Sequence, residues 1–595
     1  MLAKLLIANR GEIAVRIIRT CSELGITSVA VHSDPDATAL HVRLADEAVS
    51  LGGVAASESY LDVGKIIDAA KSVGADAIHP GYGFLAENAG FARAVVGAGL
   101  IFVGPPAESI DIMGEKVAAR AVATKAEVPG VPGSDGAITT AEEVIAFGAE
   151  HGYPVAIKAS YGGGGRGMRT VASADDAAGA LDSARTEATA AFGRGDVYLE
   201  RYLSHARHVE VQVFADQHGN VVWLGDRDCS VQRRHQKLVE EAPAPGLSDA
   251  LRTAMGEASI RLAREVGYVG AGTVEYLVEA ADDRFYFLEM NTRIQVEHPV
   301  TEETLGLDLI AEQLRVASGE TLSMDHSGIT PRGHAIEVRI NAENVAGGLF
   351  IPSPGNVGTV SASERTGVRW DSGYVSGDTV QPHYDSLIGK LIVWAPDRHH
   401  AIARMLRALD ELTVSGVPTT APAASIILAQ NDFQNAHIST NWLERDIDLA
   451  ALLPAPEPVD TADEDEVTGG RDEVWVGDRR YVVPFFGAAA APQTGAPTDA
   501  PAPRRGGGSG RRAGRSKAAA SGAIVSPMQG TVAQIDAAEG DTVTIGQVLM
   551  VLEAMKMQNP IRATADGVIV SMPVSVGDVV PAGAALVTIE PSVGA

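Results

Sequence analysis

GAGTVEYLVEAADDRFYFLEMNTRIQVEHP, residues 270–299, decides how most of this chain is read. Two runs rich in apolar and β-branched residues flank a short polar stretch, the pattern of a hairpin. If the turn centres on Asp282, Glu275 on one strand stands opposite Glu289 on the other. Side chains alternate along a strand, so Glu289, Asn291 and Arg293 share a face. Two carboxylates and an amide meeting there form a hard oxygen site, suited to Mg²⁺ on nucleotide phosphates. The same residues also fit a solvated hairpin face with an ion pair, and Phe285, Phe287, Leu288 and Met290 do not exclude that. Register separates the two, because a one-residue slip sends every side chain to the opposite face.

Upstream lies KASYGGGGRGM, residues 158–168. Gly162, Gly163, Gly164 and Gly165 allow backbone that no side chain could follow. Their amides can donate to phosphate oxygens, with Lys158 and Arg166 adding charge. Taken alone the stretch reads rather as a flexible turn, and it is not a Walker A loop, because no lysine followed by Ser or Thr closes it. Before it, KLLIANRGEIAVRIIRTCSELG reads as strand, turn and amphipathic helix, and ITSVAVHSD as a second strand. Alternating strands and helices over residues 1–115 predict a parallel α/β domain. Residues 116–330 mix helices such as DALRTAMGEASIRLAREVG with clear strands. Residues 331–447 continue with HAIEVRINAE and end in helices around HHAIARMLRALDEL.

Composition narrows the function classes. The chain has 595 residues, 45% hydrophobic and 21% charged, enough for several packed cores. A net charge of −28 argues against nucleic-acid binding, since a duplex would be repelled. Cys21 and Cys229 make neither a disulfide framework nor a zinc site, so a reducing, cytoplasmic setting is expected. No apolar run approaches the length of a membrane span. MLAKLLIANRGEIAV enters a fold directly, with no signal- or transit-peptide layout.

Beyond residue 447 the character changes. Residues 448–487 open with a Pro/Ala-rich, then acidic run, ALLPAPEPVDTADEDE, and close with a short hairpin pattern, EVWVGDRRYVVPFF. Residues 488–523 can bury almost nothing and read as a flexible linker. Within it, RRGGGSGRRAGRSK has six basic and no acidic residues, either a solvated tether or an electrostatic docking segment. Residues 524–595 repeat: Gly530, Gly540, Asp541, Gly546 and Leu549 recur 37 positions later as Gly567, Gly577, Asp578, Gly583 and Leu586. Two copies of one β unit predict a small pseudo-twofold flattened barrel or sandwich. Lys556, in VLEAMKMQNPIRA (residues 551–563), falls between the copies, where one half turns into the other. Read by itself it is a solvated tip lysine.

EAMKM between glycine-punctuated strands resembles the attachment site of biotinyl carrier domains, in which the lysine amine is acylated by biotin. Lys116, the glycine loop, the two-carboxylate hairpin and RHQKLVEEAPAP together resemble the biotin carboxylase branch of the ATP-grasp enzymes. ANRGEIAVRIIR, HPGYGFLAEN, RHVEVQV, DCSVQRRHQK and EVRINAE match as well. The whole chain is similar to biotin-dependent acyl-CoA carboxylase α subunits of the actinobacterial type. The implied fold is multidomain α/β and α+β: an N-terminal α/β domain, an ATP-grasp domain with a glycine-rich lid, a C-terminal α+β domain, and a biotinyl/lipoyl-like barrel.

The resemblance also implies roles. Lys116, Lys158, His208 and Gly162 to Gly165 would hold ATP. Glu200, Arg201 and Leu203 would border the adenine, and Gln232 and His235 the ribose. Glu275, Glu289 and Asn291 would bind Mg²⁺ or Mn²⁺. Lys237, Arg293, Gln295 and Val296 would gather bicarbonate, with Glu297 as base. Arg339 would stabilise biotin as it becomes nucleophilic, and Tyr82 would line its pocket. The implied activity is ATP- and bicarbonate-dependent carboxylation of biotin on Lys556, supplying carboxybiotin to a separate carboxyltransferase subunit that acts on acetyl-CoA or propionyl-CoA. Another acceptor, pyruvate or urea, or a carrier with an inactive ATP-grasp body, are the alternatives. A biotin protein ligase, a homo-oligomeric assembly and the carboxyltransferase are the implied partners.

Overall fold

The computed structural model describes residues 2–591 except 135, 160–167, 193, 204, 235, 280–281, 325–329, 364, 454–469, 477–478, 486–522, 528–529, 555–556 and 581–582. The glycine loop 162–165, His235 and Lys556 therefore lie outside the described residues, as do the linker and the acidic run after Leu453.

The first domain is the expected parallel sheet. Strands β1 (Lys4–Ile7), β2 (Thr27–His32), β3 (Glu47–Ser50), β4 (Ala77–His79) and β5 (Ile101–Phe102) stack in the order β3-β2-β1-β4-β5. Helix α1 (Gly11–Leu24) follows β1 and ends where Gly25 adopts φ 70°, a conformation that glycine takes without a steric penalty. Its Ile13, Ala14, Ile17 and Cys21 are buried, as the apolar spacing requires.

Helix α2 (Lys116–Lys125) opens the next region. A three-stranded antiparallel sheet follows, with β6 (Val155–Ala159) between β7 (Met168–Val171) and β8 (Val197–Arg201). The main sheet has eight antiparallel strands. Its elements are β9 (Arg207–Ala215), β10 (Val221–Arg233), β11 (Gln236–Ala242), β12 (Gly270–Glu279), β13 (Arg284–Asn291), β14 (His334–Asn341), β15 (Val368–Ser372) and β16 (Leu387–Ala395). The order is β13-β12-β9-β10-β11-β14-β16-β15. Because β11 pairs with β14, one sheet continues across the expected border at 330/331. Helix α3 (His298–Leu305) lies against one face of β14 and β16, and α4 (Arg398–Glu411) and α5 (Ala421–Ala429) pack on the other.

After residue 469, β17 (Gly470–Val476) and β18 (Arg479–Phe485) pair antiparallel, the hairpin that the sequence pattern suggests. The last domain has two four-stranded sheets. The strands are β19 (Ala523–Val525), β20 (Gly530–Ile535), β21 (Thr542–Val543), β22 (Val548–Ala554), β23 (Met557–Arg562), β24 (Gly567–Ser571), β25 (Val579–Val580) and β26 (Ala585–Pro591). Their orders, β23-β22-β20-β25 and β19-β26-β24-β21, map onto each other under the 37-residue shift. Gly540 and Gly577 share φ values of 94° and 97°, and Asp541 and Asp578 each accept from the backbone three residues earlier. Val532, Leu552, Ile569 and Ile589 fill the space between the sheets. No described helix is long and apolar enough to cross a membrane.

Candidate active site

Glu275 does stand opposite Glu289, by a route that the sequence did not show. Near the turn, Tyr276 faces Phe287 and Glu279 faces Arg284, one residue out of the expected register. The turn is therefore not centred on Asp282. A bulge at Leu288 inserts one residue and restores the Glu275–Glu289 pair further along. Asn291 donates to Glu275 Oε1 at 2.8 Å, and Arg293, just beyond the strand, donates to Asn291 Oδ1 at 2.8 Å. Glu289 is exposed. Withdrawal from bulk water and then the nearby Glu275 charge raise its pKa. Hard oxygen donors in mutual repulsion fit a divalent cation.

Lys237 is the hub of the buried cluster. Its Nζ lies 2.6 Å from Glu297 Oε1, 2.7 Å from Glu210 Oε2 and 3.2 Å from Glu275 Oε1. Burial opposes the ammonium charge, but Cys229, Glu210, Glu275 and Glu297 outweigh it and hold the Lys237 pKa well above the ordinary lysine value. Glu297 also accepts from Arg339 Nη2 at 2.9 Å. Burial favours the neutral acid, yet Lys237 and Arg339 prevail and hold Glu297 well below the usual carboxylate range. Gln295 donates to Glu275 Oε1 and accepts from Arg227, while Val296 accepts at its carbonyl from Lys390. The expected bicarbonate residues Lys237, Arg293, Gln295 and Val296 thus meet around Glu275 and Glu297.

On the nucleotide side, Lys158 and Arg120 both donate to Glu200. Burial, then the like charges of Arg120 and Lys116, lower Lys158 to about 8. His208 Nε2 is 2.9 Å from Glu275 Oε2, whose charge overcomes burial and raises the histidine pKa. Arg201 pairs with Glu279 at 2.6 Å, and Leu203 is buried with Ala206 and Tyr286. Gln232 pairs with Lys237 across the β10–β11 turn. On the far side of the cluster, Arg339 Nε donates to Glu240 Oε1 at 2.6 Å, and Tyr82 donates to Glu12.

Several residues of this site escaped the reading of the sequence. Arg120 grips Glu200, Glu87 holds Arg293 at 2.9 Å, and Arg227 holds Glu210 at 2.5 Å. Glu210 was missed as well, although a signal existed for it: His208, Glu210 and Gln212 alternate with valines in β9, so three polar side chains share one face of an otherwise apolar strand. All three are buried. Glu87 had no such signal, because its partner comes from 206 residues away.

Ala554 and Met557 are the last pair of the β22–β23 ladder before the two strands connect, and the described strands stop on either side of the expected attachment lysine. Family models match four stretches of the chain. The biotin carboxylase N-terminal domain matches residues 1–110, and the carbamoyl-phosphate synthase L chain ATP-binding domain residues 115–325. The biotin carboxylase C-terminal domain matches 337–445, and the biotin-requiring enzyme family 522–589. The biotin-dependent acyl-coenzyme A carboxylase alpha3 subunit of Mycobacterium leprae is 48% identical over 99% of both chains. The biotin carboxylase of Pseudomonas aeruginosa is 51% identical over 76% of this chain and 99% of its own. The biotin carboxylase domain dimer of Hydrogenobacter thermophilus 2-oxoglutarate carboxylase, in complex with MgADP, ADP and bicarbonate, gives a TM-score of 0.70 at 46% identity, covering 76% of this chain and 99% of that one. The chain belongs to the biotin carboxylases fused to their own biotin carrier, the family of biotin-dependent acyl-coenzyme A carboxylase α subunits.

Proposed function

We propose that this protein carboxylates the biotin on Lys556, using ATP and bicarbonate, and that a separate carboxyltransferase subunit passes the carboxyl group to an acyl-CoA, acetyl-CoA or propionyl-CoA. One observation carries the reading: Lys237 and Arg339 both grip Glu297, and Arg293 reaches the same cluster through Asn291 and Glu275, in a chain that also contains EAMKM. A body that had lost its activity would gain nothing by keeping this many charges buried.

Each residue has a task. Lys116, Lys158 and His208 hold ATP together with the loop 162–165, while Glu200, Arg201, Leu203, Gln232 and His235 border its adenosine. Glu275, Glu289 and Asn291 hold Mg²⁺ or Mn²⁺, which when bound neutralises charge developing on the phosphates. Lys237 and Arg293 take bicarbonate by exchanging a carboxylate partner for the anion, and Gln295 and Val296 complete its cradle. Glu297, clamped by two cations, is a weak base as it stands. Drawing Lys237 or Arg339 toward the incoming groups raises its pKa and lets it accept the bicarbonate proton. Bicarbonate would attack the γ-phosphorus of ATP as ADP leaves, and the resulting carboxyphosphate would split into CO₂ and phosphate. The phosphate would take the proton of the biotin ureido nitrogen, to which CO₂ then bonds, with Arg339 facing the ureido oxygen and Tyr82 as the neighbouring wall. Removing one such donor typically costs on the order of 10²–10³ in rate.

The division into 1–115, 116–330, 331–447, 448–487, 488–523 and 524–595 is part of this reading. A coil of roughly 36 residues has a root-mean-square span of about 30–36 Å, which would let the carrier reach both this site and a distant one. The hairpin β17–β18 is marginal on its own, which suits a reduced docking element for the carboxyltransferase. Acylation of Lys556 calls for a biotin protein ligase. The α chains associate within a larger assembly, in the cytoplasm.

The test is ATP-dependent transfer of labelled bicarbonate onto the purified, biotinylated chain. Label should appear on the protein and vanish in Lys556→Ala. Label that persists without Lys556 would overturn the carrier assignment. Discharge of the label by an acyl-CoA with its carboxyltransferase, and not by pyruvate or urea, identifies the acceptor.

A further inference from the structure

Behind the carboxylate cluster runs a line of contacts that none of the roles above uses. Tyr82 Oη donates to Glu12 Oε1. Lys390 Nζ lies 3.3 Å from that same carboxylate oxygen and donates at 2.7 Å to the Val296 carbonyl. Glu12 comes from α1 of the first domain, Lys390 from β16, and Val296 from the segment between β13 and α3. Both charged residues are buried, Lys390 completely.

A wholly buried lysine is rare unless paired, and an apolar side chain of similar volume usually serves packing as well or better. Lys390 therefore calls for a reason other than filling space. Its two contacts supply one. The Val296 carbonyl belongs to the same planar peptide as the Glu297 amide, so a fixed Val296 oxygen fixes the plane from which Glu297 projects. Glu297 is also the residue from which α3 starts. At the other end, Glu12 holds the hydroxyl of Tyr82. One ion pair thus ties the Gln295–Glu297 segment to the wall on the biotin side.

We infer that Glu12 and Lys390 are positioning residues for the carboxylation, setting Val296 and Glu297 for bicarbonate and Tyr82 for biotin through a single buried pair. The inference rests on the reading above that Val296 gathers bicarbonate and Tyr82 borders biotin. Lys390 touches no reacting atom. It acts through the Val296 peptide, and misplacing that peptide weakens bicarbonate binding without touching the nucleotide side.

The experiment measures bicarbonate-dependent ATP hydrolysis and label transfer with the full-length biotinylated chain. Lys390→Met should raise the KM for bicarbonate about tenfold or more and leave the KM for ATP within about twofold. Glu12→Gln/Lys390→Met removes both charges and leaves no unpaired ion. If positioning is the role, its bicarbonate KM stays raised, because the donor to Val296 is still missing. Lys390→Arg, which keeps a donor, should recover part of the effect. A double variant with wild-type bicarbonate KM, or a loss shared equally by ATP and bicarbonate, would overturn the inference. If Lys390→Met does not fold, the charge-neutral double variant gives the same readout. A Lys237→Gln control that leaves the bicarbonate KM unmoved sinks the reading of the site itself and this inference with it. A control that responds while the Lys390 variants do not sinks the positioning role alone.

Discussion

Alternate residues of the same strands in the main sheet make two buried faces with opposite chemistry. On one face Ile336, Val338 and Ile340 of β14, with Leu391 and Val393 of β16, pack against Met405 and Ala408 of α4 and Ile427 of α5. On the other, Glu337 and Arg339 of β14 lie beside Lys390 of β16 and Asp371 of β15, next to α3. Solvent exposure hardly separates them: Val338, Glu337 and Lys390 are each 0% exposed. What separates them is the source of their free energy. The apolar face stabilises by leaving water, at roughly 25 cal/mol per Å². The charged face pays a desolvation penalty that only its ion pairs offset, and in return it holds charges ready for substrate. Burial on both sides lets one sheet serve as core and as active site.

The contrast can be broken from either side. Arg339→Met should cost the most activity, on the order of 10²–10³ in label transfer, while the protein stays folded. A variant that transfers carboxyl at the wild-type rate would remove Arg339 from the site. Leu391→Ala, one residue from Lys390 but on the apolar face, should do the reverse. It loses about 2–5 kcal/mol of stability in denaturant unfolding, while activity per folded molecule is kept. If its activity collapses while its stability does not, the two faces are not separable as described.

Glu337→Gln is the smallest and sharpest test. Burial, together with Glu240 and Glu297, raises the Glu337 pKa well above the usual carboxylate range despite Lys390 and Arg339. The amide mimics the protonated acid, so it should be almost silent wherever the buried acid keeps its proton, within about 1 kcal/mol. The folded state keeps a proton that the unfolded chain releases above pH 4.5. Wild-type stability therefore falls as pH rises from there toward the raised folded value, and the variant should lose that part of the slope. Equal slopes would mean that Glu337 is ionised in its buried place.

Much of this was legible beforehand. The parallel first domain, the 37-residue repeat and its two matching sheets follow from patterns within a few dozen residues. The Glu275–Glu289 pair was found from the wrong turn centre and rescued by the bulge at Leu288, which no pattern in EAADDRFYF announces. HAIEVRINAE shows a clean alternation, which ordinarily marks a strand with one face in water. Here α3 covers that face, so Glu337 and Arg339 are buried instead. Arg120, Glu87, Arg227 and Lys390 could not be found locally, because each meets its partner only after distant segments are brought together.

The sequence by itself determined which elements form, where the chain divides in composition, and which family chemistry its motifs belong to. Those depend on periodicity, turn residues and short motifs, and these act over a few residues at a time. The tertiary structure alone decided which charges face one another: Lys237 among three carboxylates, Glu297 between Lys237 and Arg339, and Lys390 between Glu12 and Val296. Electrostatic energy depends on distance and on exclusion of water, and neither exists until the sheet has its helices on both faces.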